Sequence, residues 1–279
     1  TANSGTVVID AVTGVGDANP IDTTIATLDL DNTTSGNVGI VETDAIVLAG
    51  VTVGGGNLDV VSAGDMDVVS AISASGVVTL TNGGLLTTSA VVTADGGFGQ
   101  DGIGGVHLGA NVTAGGSGIS FDSGVTLIAN VVLDSSVGGD ITFASIVDGA
   151  RTLSLNAGSG TTEFQGDVAV GDGTADAITI VDGNVNFGFS GVITVDLDGR
   201  FTITASDQTV QTPVGAGGRS TINYVGAGNS SVVLIDASNV TIRSLEITGG
   251  NGVGGHGIHI HDSDNVIVDN DINDNDEHG

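Results

Sequence analysis

Four basic and 33 acidic side chains in 279 residues give a formal net charge of −29 at pH 7, a field that repels phosphate backbones and anionic headgroups and so excludes nucleic acid and lipid surfaces as partners. All four cations are arginines (Arg151, Arg200, Arg219, Arg243) and there is no cysteine, which excludes disulfides, thiolate chemistry and cysteine-based zinc sites. Apolar residues reach 39 % against 13 % charged, enough for a buried core, while aromatics at 3 % point to a thin core of aliphatic stacks without large rings.

Short β-branched runs closed by Gly, Asn, Asp or Ser recur along the chain: Thr6–Asp10, Ile25–Leu30, Ala45–Leu48, Val77–Leu80, Ile141–Phe143, Leu153–Leu155 and Ile178–Val181. Asp29 and Asp31 alternate with Leu28 and Leu30, as Asp196 and Asp198 do with Val195 and Leu197, the pattern of a half-buried strand with its acidic side in water. No window sustains a 3.6-residue period, so helix is nearly absent. No apolar run approaches the roughly 18 to 20 residues of a membrane helix. A signal-peptide pattern is missing, and the abrupt start at Thr1 reads as a piece of a longer, processed chain. The stretch Gln208–Ser220, with Pro213, interrupts the strands and divides residues 1–207 from 208–279, two regions expected to share one axis.

The clearest repeat lies near the C-terminal end. Residues 232–242 align without gaps on 258–268, an offset of 258 − 232 = 26, which sets Asp236 with Asp262 and Asn239 with Asn265 at corners. A period of roughly 20 to 30 residues built of strands and turns is the mark of a solenoid. Asn and Asp at its corners bond the chain's own backbone and stack as ladders.

Two families resemble parts of this chain. Asp148–Gly160, followed by Thr161–Val170, is similar to the repeats of filamentous-haemagglutinin-like and autotransporter-type bacterial surface proteins. Asn239–Ile247 and Asn265–Ile272 resemble the right-handed parallel β-helix repeats of pectate-lyase-like proteins. These resemblances imply an exported right-handed β-solenoid, part of a large adhesin or surface fibre, and name no ligand.

Several clusters carry candidate chemistry. With Ile258 and Ile260 pointing inward, strand alternation sets His259 and His261 on one outer face, and with His256, Asp262 or Asp264 as a third ligand they suit a transition metal. Gly255-His256-Gly257-Ile258 also resembles the Gly-His-Gly element of polygalacturonases. That family's Asn-Thr-Asp, Asp-Asp and Arg-Ile-Lys motifs are absent here, so the carboxylate pair of a glycosidase is not visible. A pectate-lyase-like arginine base could be Arg219 or Arg243, although Arg243 aligns with Asp269 and is expected to pair with it. Gly96–Gly104 fits the calcium nonapeptide of RTX proteins once, without the stacked copies that build that site. The terminal acidic run, with Asp269, Asp271, Asp274 and Asp276, offers hard oxygen ligands for calcium but lacks the glycine and distal glutamate of an EF-hand loop.

The expected molecule is an all-β rod of about a dozen rungs and about 60 Å, a right-handed parallel β-helix with open strand edges at both ends. Its expected role is structural and non-catalytic: a segment of an extracellular, cell-surface bacterial fibre or adhesin that self-associates end to end or continues in a longer chain, with calcium as an optional ligand. The alternative is a β-helix that binds or cleaves carbohydrate, its groove on the outer face around His256–Asp264, with glycans or a neighbouring cell surface as partners.

Overall fold

The computed structural model describes residues 5–173, 176–188, 191–226, 231–250 and 255–275. Among them lie 32 short strands and no helix. Strands pair in parallel with strands one turn earlier and later. The chain therefore winds as a rod-like parallel β-helix of about 12 turns. Its length at one strand spacing per turn is about 58 Å.

The central turns carry three strands each, which stack into three faces, and in other turns one longer strand serves two faces, as Ile46–Val53, Leu153–Phe164 and Asp176–Phe187 do. Face A runs through Met66–Val68, Leu86–Thr88, Val106–Leu108 and Val125–Leu127. Face B runs through Ile72–Ala74, Val92–Ala94, Val112–Ala114 and Val131–Asp134. Face C runs through Val77–Asn82, Gly97–Gln100, Ile119–Phe121 and Ile141–Phe143. Side chains alternate across a strand, so the first and third residues of a three-residue strand such as Leu86–Thr88 are buried and the middle one faces outward. Main-chain donors and acceptors point along the rod and are met by the turns above and below.

Turn length drifts along the rod. Leu86 lies opposite Met66 and Val106 opposite Leu86, 20 residues apart each time (86 − 66, 106 − 86). The spacing grows to 22 between Ile119 and Ile141 (141 − 119) and to 27 between Val195 and Ile222 (222 − 195). It peaks at 32 between Phe201 and Val233 (233 − 201), then settles at 25 between Val233 and Ile258 (258 − 233). The sequence offset of 26 is thus corrected by one residue, because Val233 and not Val232 stands opposite Ile258. The Pro213 segment lies between the strands Thr209–Gln211 and Ser220–Tyr224, and the amide of Ser220 closes it by donating to Thr212 Oγ1 at 2.7 Å. The ladder continues on either side of it.

The core is not purely aliphatic. Phe121, Phe143, Phe164 and Phe187 occupy one inward position of face C on successive turns. Their rings stack at 5.5, 5.0 and 5.5 Å with interplanar angles of 10°, 5° and 13°. Phe98 and Phe201 extend the column at its two ends. The low aromatic content misled because the few rings are concentrated in one column, where each buries its faces against the next. The rest of the core is the expected Val, Ile and Leu.

Candidate functional site in the terminal turns

The three histidines come together on the last described turn. His259 is the middle residue of the strand Ile258–Ile260, opposite Leu234, and His261 follows that strand. The His256 and His259 rings are 5.4 Å apart, and those of His259 and His261 are 4.6 Å apart, edge to face. His261 Nδ1 lies 3.3 Å from Asp236 Oδ1, and both side chains are about half exposed. Burial, then the neighbouring His261, His256 and Arg200, holds His259 below its ordinary value, so it stays neutral where a free imidazole begins to charge. Ile258 packs against the core as expected, but Ile260 is 42 % exposed, because no described strand pairs with this turn on its far side.

The acidic run has a main-chain role. Asp264, Asp269 and Asp274 each adopt a left-handed backbone, with φ of 62°, 55° and 51°. Each is followed by an asparagine that reaches back one turn. Asn265, Asn270 and Asn275 accept the amides of Val240, Leu245 and Gly250 at 2.7, 3.0 and 2.8 Å. An aspartate tolerates the left-handed corner better than most residues, and the next side chain takes the donor that the corner would orphan. Most asparagine staples of the earlier turns run in the opposite direction: Asn57, Asn111, Asn130 and Asn184 accept amides of the following turn, from Val77, Val132, Thr152 and Thr209, whereas Asn32 reaches back to the amide of Gly14.

The five-residue spacing separates the candidate calcium ligands. Asp269 and Asp274 stand at corners on either side of the strand Asp271–Ile272, and Asp271 lies in that strand opposite Glu246. Asp276 lies outside the described residues. Among the described residues no group of three or more His, Asp or Glu side chains is arranged to hold a metal ion. The expected Arg243–Asp269 pair is corrected. Arg243 stands opposite Val268 and donates to Gln211 Oε1 at 2.6 Å, while Asp269 receives Arg219 at 2.6 Å across two turns. The one-residue change of register moves Asp269 off the strand and into the corner.

Gly96–Gly104 is built as the strand Gly97–Gln100 followed by a corner. Gln100 is buried there and donates to Asn82 Oδ1 at 2.7 Å and to the Gly102 carbonyl at 2.9 Å, while Asp101 accepts the Thr81 hydroxyl. Surface grooves lie elsewhere on the rod. One of about 250 Å³ is lined by Asp148, Ala169, Asp196 and Asp198, and a more polar one of about 480 Å³ by Ser159, Asp182, Asn184, Ser206, Asp207 and Gln208. In the second, Gln208 donates to Asp182 Oδ1 at 3.0 Å, and Asp207 accepts Asn239 Nδ2.

Sequence reasoning passed over three polar groups that the fold makes conspicuous. Glu42 is fully buried, its two oxygens taking the Thr23 hydroxyl and the amides of Ile25, Thr43 and Asp44. Thr162 Oγ1 and Glu163 Oε1 are buried without a partner. Only the in-register column Glu42, Ser62, Asn82 at a 20-residue spacing could have revealed the first, and nothing local marks the others. No family model, no curated protein and no solved structure matches this chain.

Proposed function

We propose that the chain is a structural, non-catalytic stretch of an extracellular surface fibre or adhesin, of the filamentous-haemagglutinin-like or autotransporter type, extended end to end by further turns. The observation that supports this most is the parallel ladder that runs through about 12 turns of the described residues, which makes the chain a rod of stacked turns. Its first and last described turns leave inward residues only partly covered, Val7, Ile9 and Ala11 at one end and Ile258, Ile267 and Ile272 at the other. Such edges accept more strands, from the same polypeptide or from a second copy. Calcium enters this reading as an ion of assembly that relieves carboxylate repulsion between rods.

Electron microscopy of the purified chain with calcium and with chelator tests the reading. Filaments of uniform width support it, and their loss in chelator assigns calcium to assembly. Discrete rods of about 58 Å in both conditions sink self-assembly by this segment. A second reading, glycan binding, is favoured by the polar groove around Ser159, Asp182 and Gln208. Its test is a glycan array on which Asp182→Ala abolishes any signal, with His256→Ala and Asp262→Ala reporting on the outer face of the terminal turn.

A further inference from the structure

Four asparagines stand two residues before a hydroxyl with no proline between, Asn32, Asn111, Asn229 and Asn239, the pattern that marks an acceptor of N-linked sugar. Asn229 lies outside the described residues. The fold separates the other three. Asn32 is 0 % exposed, its Oδ1 accepts the Gly14 amide at 2.9 Å, and its Nδ2 donates to the carbonyls of Ser35 and Gly36 at 3.1 and 2.9 Å. A sugar there would break one of those bonds inside the rod. Asn239 sits at a left-handed corner, φ 59°, and its Nδ2 donates to Asp207 one turn earlier. Asn111 is exposed on the A–B corner, immediately before the face B strand Val112–Ala114. Its Oδ1 accepts the amide of Val132 on the following turn at 2.9 Å, and its Nδ2 makes no hydrogen bond among the described residues. Thr113, which completes the pattern, points outward on the same side of the strand. The surroundings are neutral: residues 105–114, with 85–94 and 124–133 on the adjoining turns, contain no Asp, Glu, Lys or Arg. Val91 and Val132 flank Asn111 on the turns before and after, 44 % and 40 % exposed.

We propose that Asn111 is a glycosylation site and carries an N-linked sugar. The donor is a glycosyl diphosphate, borne on a lipid or on a nucleotide. Nδ2 attacks C1 of the sugar: the N–C1 bond forms as the C1–O bond breaks, the diphosphate leaves with the electron pair, and the Nδ2 proton passes through a carboxylate of the transferase to water. The product keeps the amide carbonyl and one N–H, so the bond from the Val132 amide to Oδ1 survives the modification. That bond also fixes the plane of the side-chain amide, with the carbonyl turned to the next turn of the rod and the nitrogen left for the sugar. A C–H face of the sugar laid on Val91 or Val132 takes apolar surface out of water at a corner that offers no charge to hydrate it. The inference rests on the extracellular reading above, because this pattern marks the surface of exported chains.

Peptide mass spectrometry of the chain isolated from its source cells, with medium and cell surface collected apart from the cytosol, tests the proposal. The expected result is the mass of whole sugar residues on the peptide that holds Asn111 and none on Asn32 or Asn239. Asn130 is the control within the molecule: it staples the Thr152 amide in the same way but is followed by Val132 where the hydroxyl would stand, and it stays bare. Thr113→Ser keeps the sugar, while Thr113→Val and Asn111→Asp lose it. The aspartate retains an acceptor for the Val132 amide, and circular dichroism of each variant confirms that the rod still folds. Blocking the synthesis of lipid-borne sugar diphosphates removes the sugar if a lipid carries the donor and leaves it if a nucleotide does. A bare Asn111 on chain recovered outside the cell overturns the proposal and leaves the fibre reading standing. A chain confined to the cytosol overturns the fibre reading, and with a bare Asn111 it overturns both. Sugar on Asn32, Asn130 or Asn239 in place of Asn111, or sugar on Asn111 that persists in Thr113→Val, also overturns the proposal.

Discussion

Glu42 is a charge inside the rod, and its environment decides its sign of action. Burial alone would raise its carboxyl, but the hydrogen bonds from Ile25, Thr23, Thr43 and Asp44 outweigh burial and hold it below the ordinary value of 4.5. A carboxyl lowered by folding contributes stability in full above its unfolded value and loses it as pH falls through the folded one. Glu42→Gln puts an amide donor among backbone donors, so it should cost about 2 kcal/mol in urea unfolding at pH 7, and the gap to wild type should close below pH 4.5. Glu163 leans the other way: burial raises it, the Gln165 hydrogen bond opposes, and the charge of Asp140 adds to the rise. Its ionised form weakens the fold at neutral pH, so Glu163→Gln should raise the melting temperature at pH 7 and lose that advantage on acidification. Thr162 stands in register between Ile141 and Val185 with its hydroxyl unpaired. Thr162→Val removes a buried orphan at constant shape and should stabilise by about 1 kcal/mol, measured by the urea midpoint at unchanged slope.

At the scale of the element, the phenylalanine column and the asparagine staples hold neighbouring turns in register by different means. A ring in the column contacts the turns on both sides, so truncation opens a cavity that two turns share. Phe143→Ala should cost about 4 kcal/mol, while Phe143→Leu, which keeps much of the volume, should cost about 1.5 kcal/mol. Both are read by chemical denaturation. The staples act at corners, where parallel strands leave amides without a ladder partner. Their reversal of direction near the C-terminal turns accompanies a change of corner chemistry: every described non-glycine residue with positive φ lies between Asp207 and Asp274. In the earlier turns the corresponding left-handed positions are glycines, such as Gly36 and Gly118, where a Cβ would meet backbone carbonyl oxygens at 2.4 and 2.1 Å.

On the scale of the whole molecule, 33 carboxylates and four arginines on one rod make electrostatic repulsion a general destabilising term. Two Arg–Asp ion pairs occur among the described residues, Arg200–Asp176 and Arg219–Asp269, and partly exposed pairs of this kind contribute little. The melting temperature should therefore rise steadily with sodium chloride, by differential scanning calorimetry, and divalent cations should act at lower concentration than monovalent ones. A flat response to salt would mean that the carboxylates are spaced widely enough around the rod to ignore one another.

The sequence by itself determined the class of fold. Short β-branched runs closed by turn residues cannot hold a helical period, and a repeat of 20 to 30 residues leaves stacking turns as the way to bury them. The asparagine-rich corners were legible for the same local reason. What only the tertiary structure decided was register, because turn length depends on how each corner closes, and corners here range from tight glycine turns to the Pro213 segment. An error of one residue in the last repeat was enough to pair Arg243 with Asp269 on paper, whereas in the rod Arg243 meets Gln211 and Asp269 meets Arg219. The phenylalanine column was hidden likewise, since residues 121, 143, 164 and 187 are unevenly spaced along the chain and become neighbours only when turns of 21 to 23 residues stack (143 − 121 = 22, 164 − 143 = 21, 187 − 164 = 23).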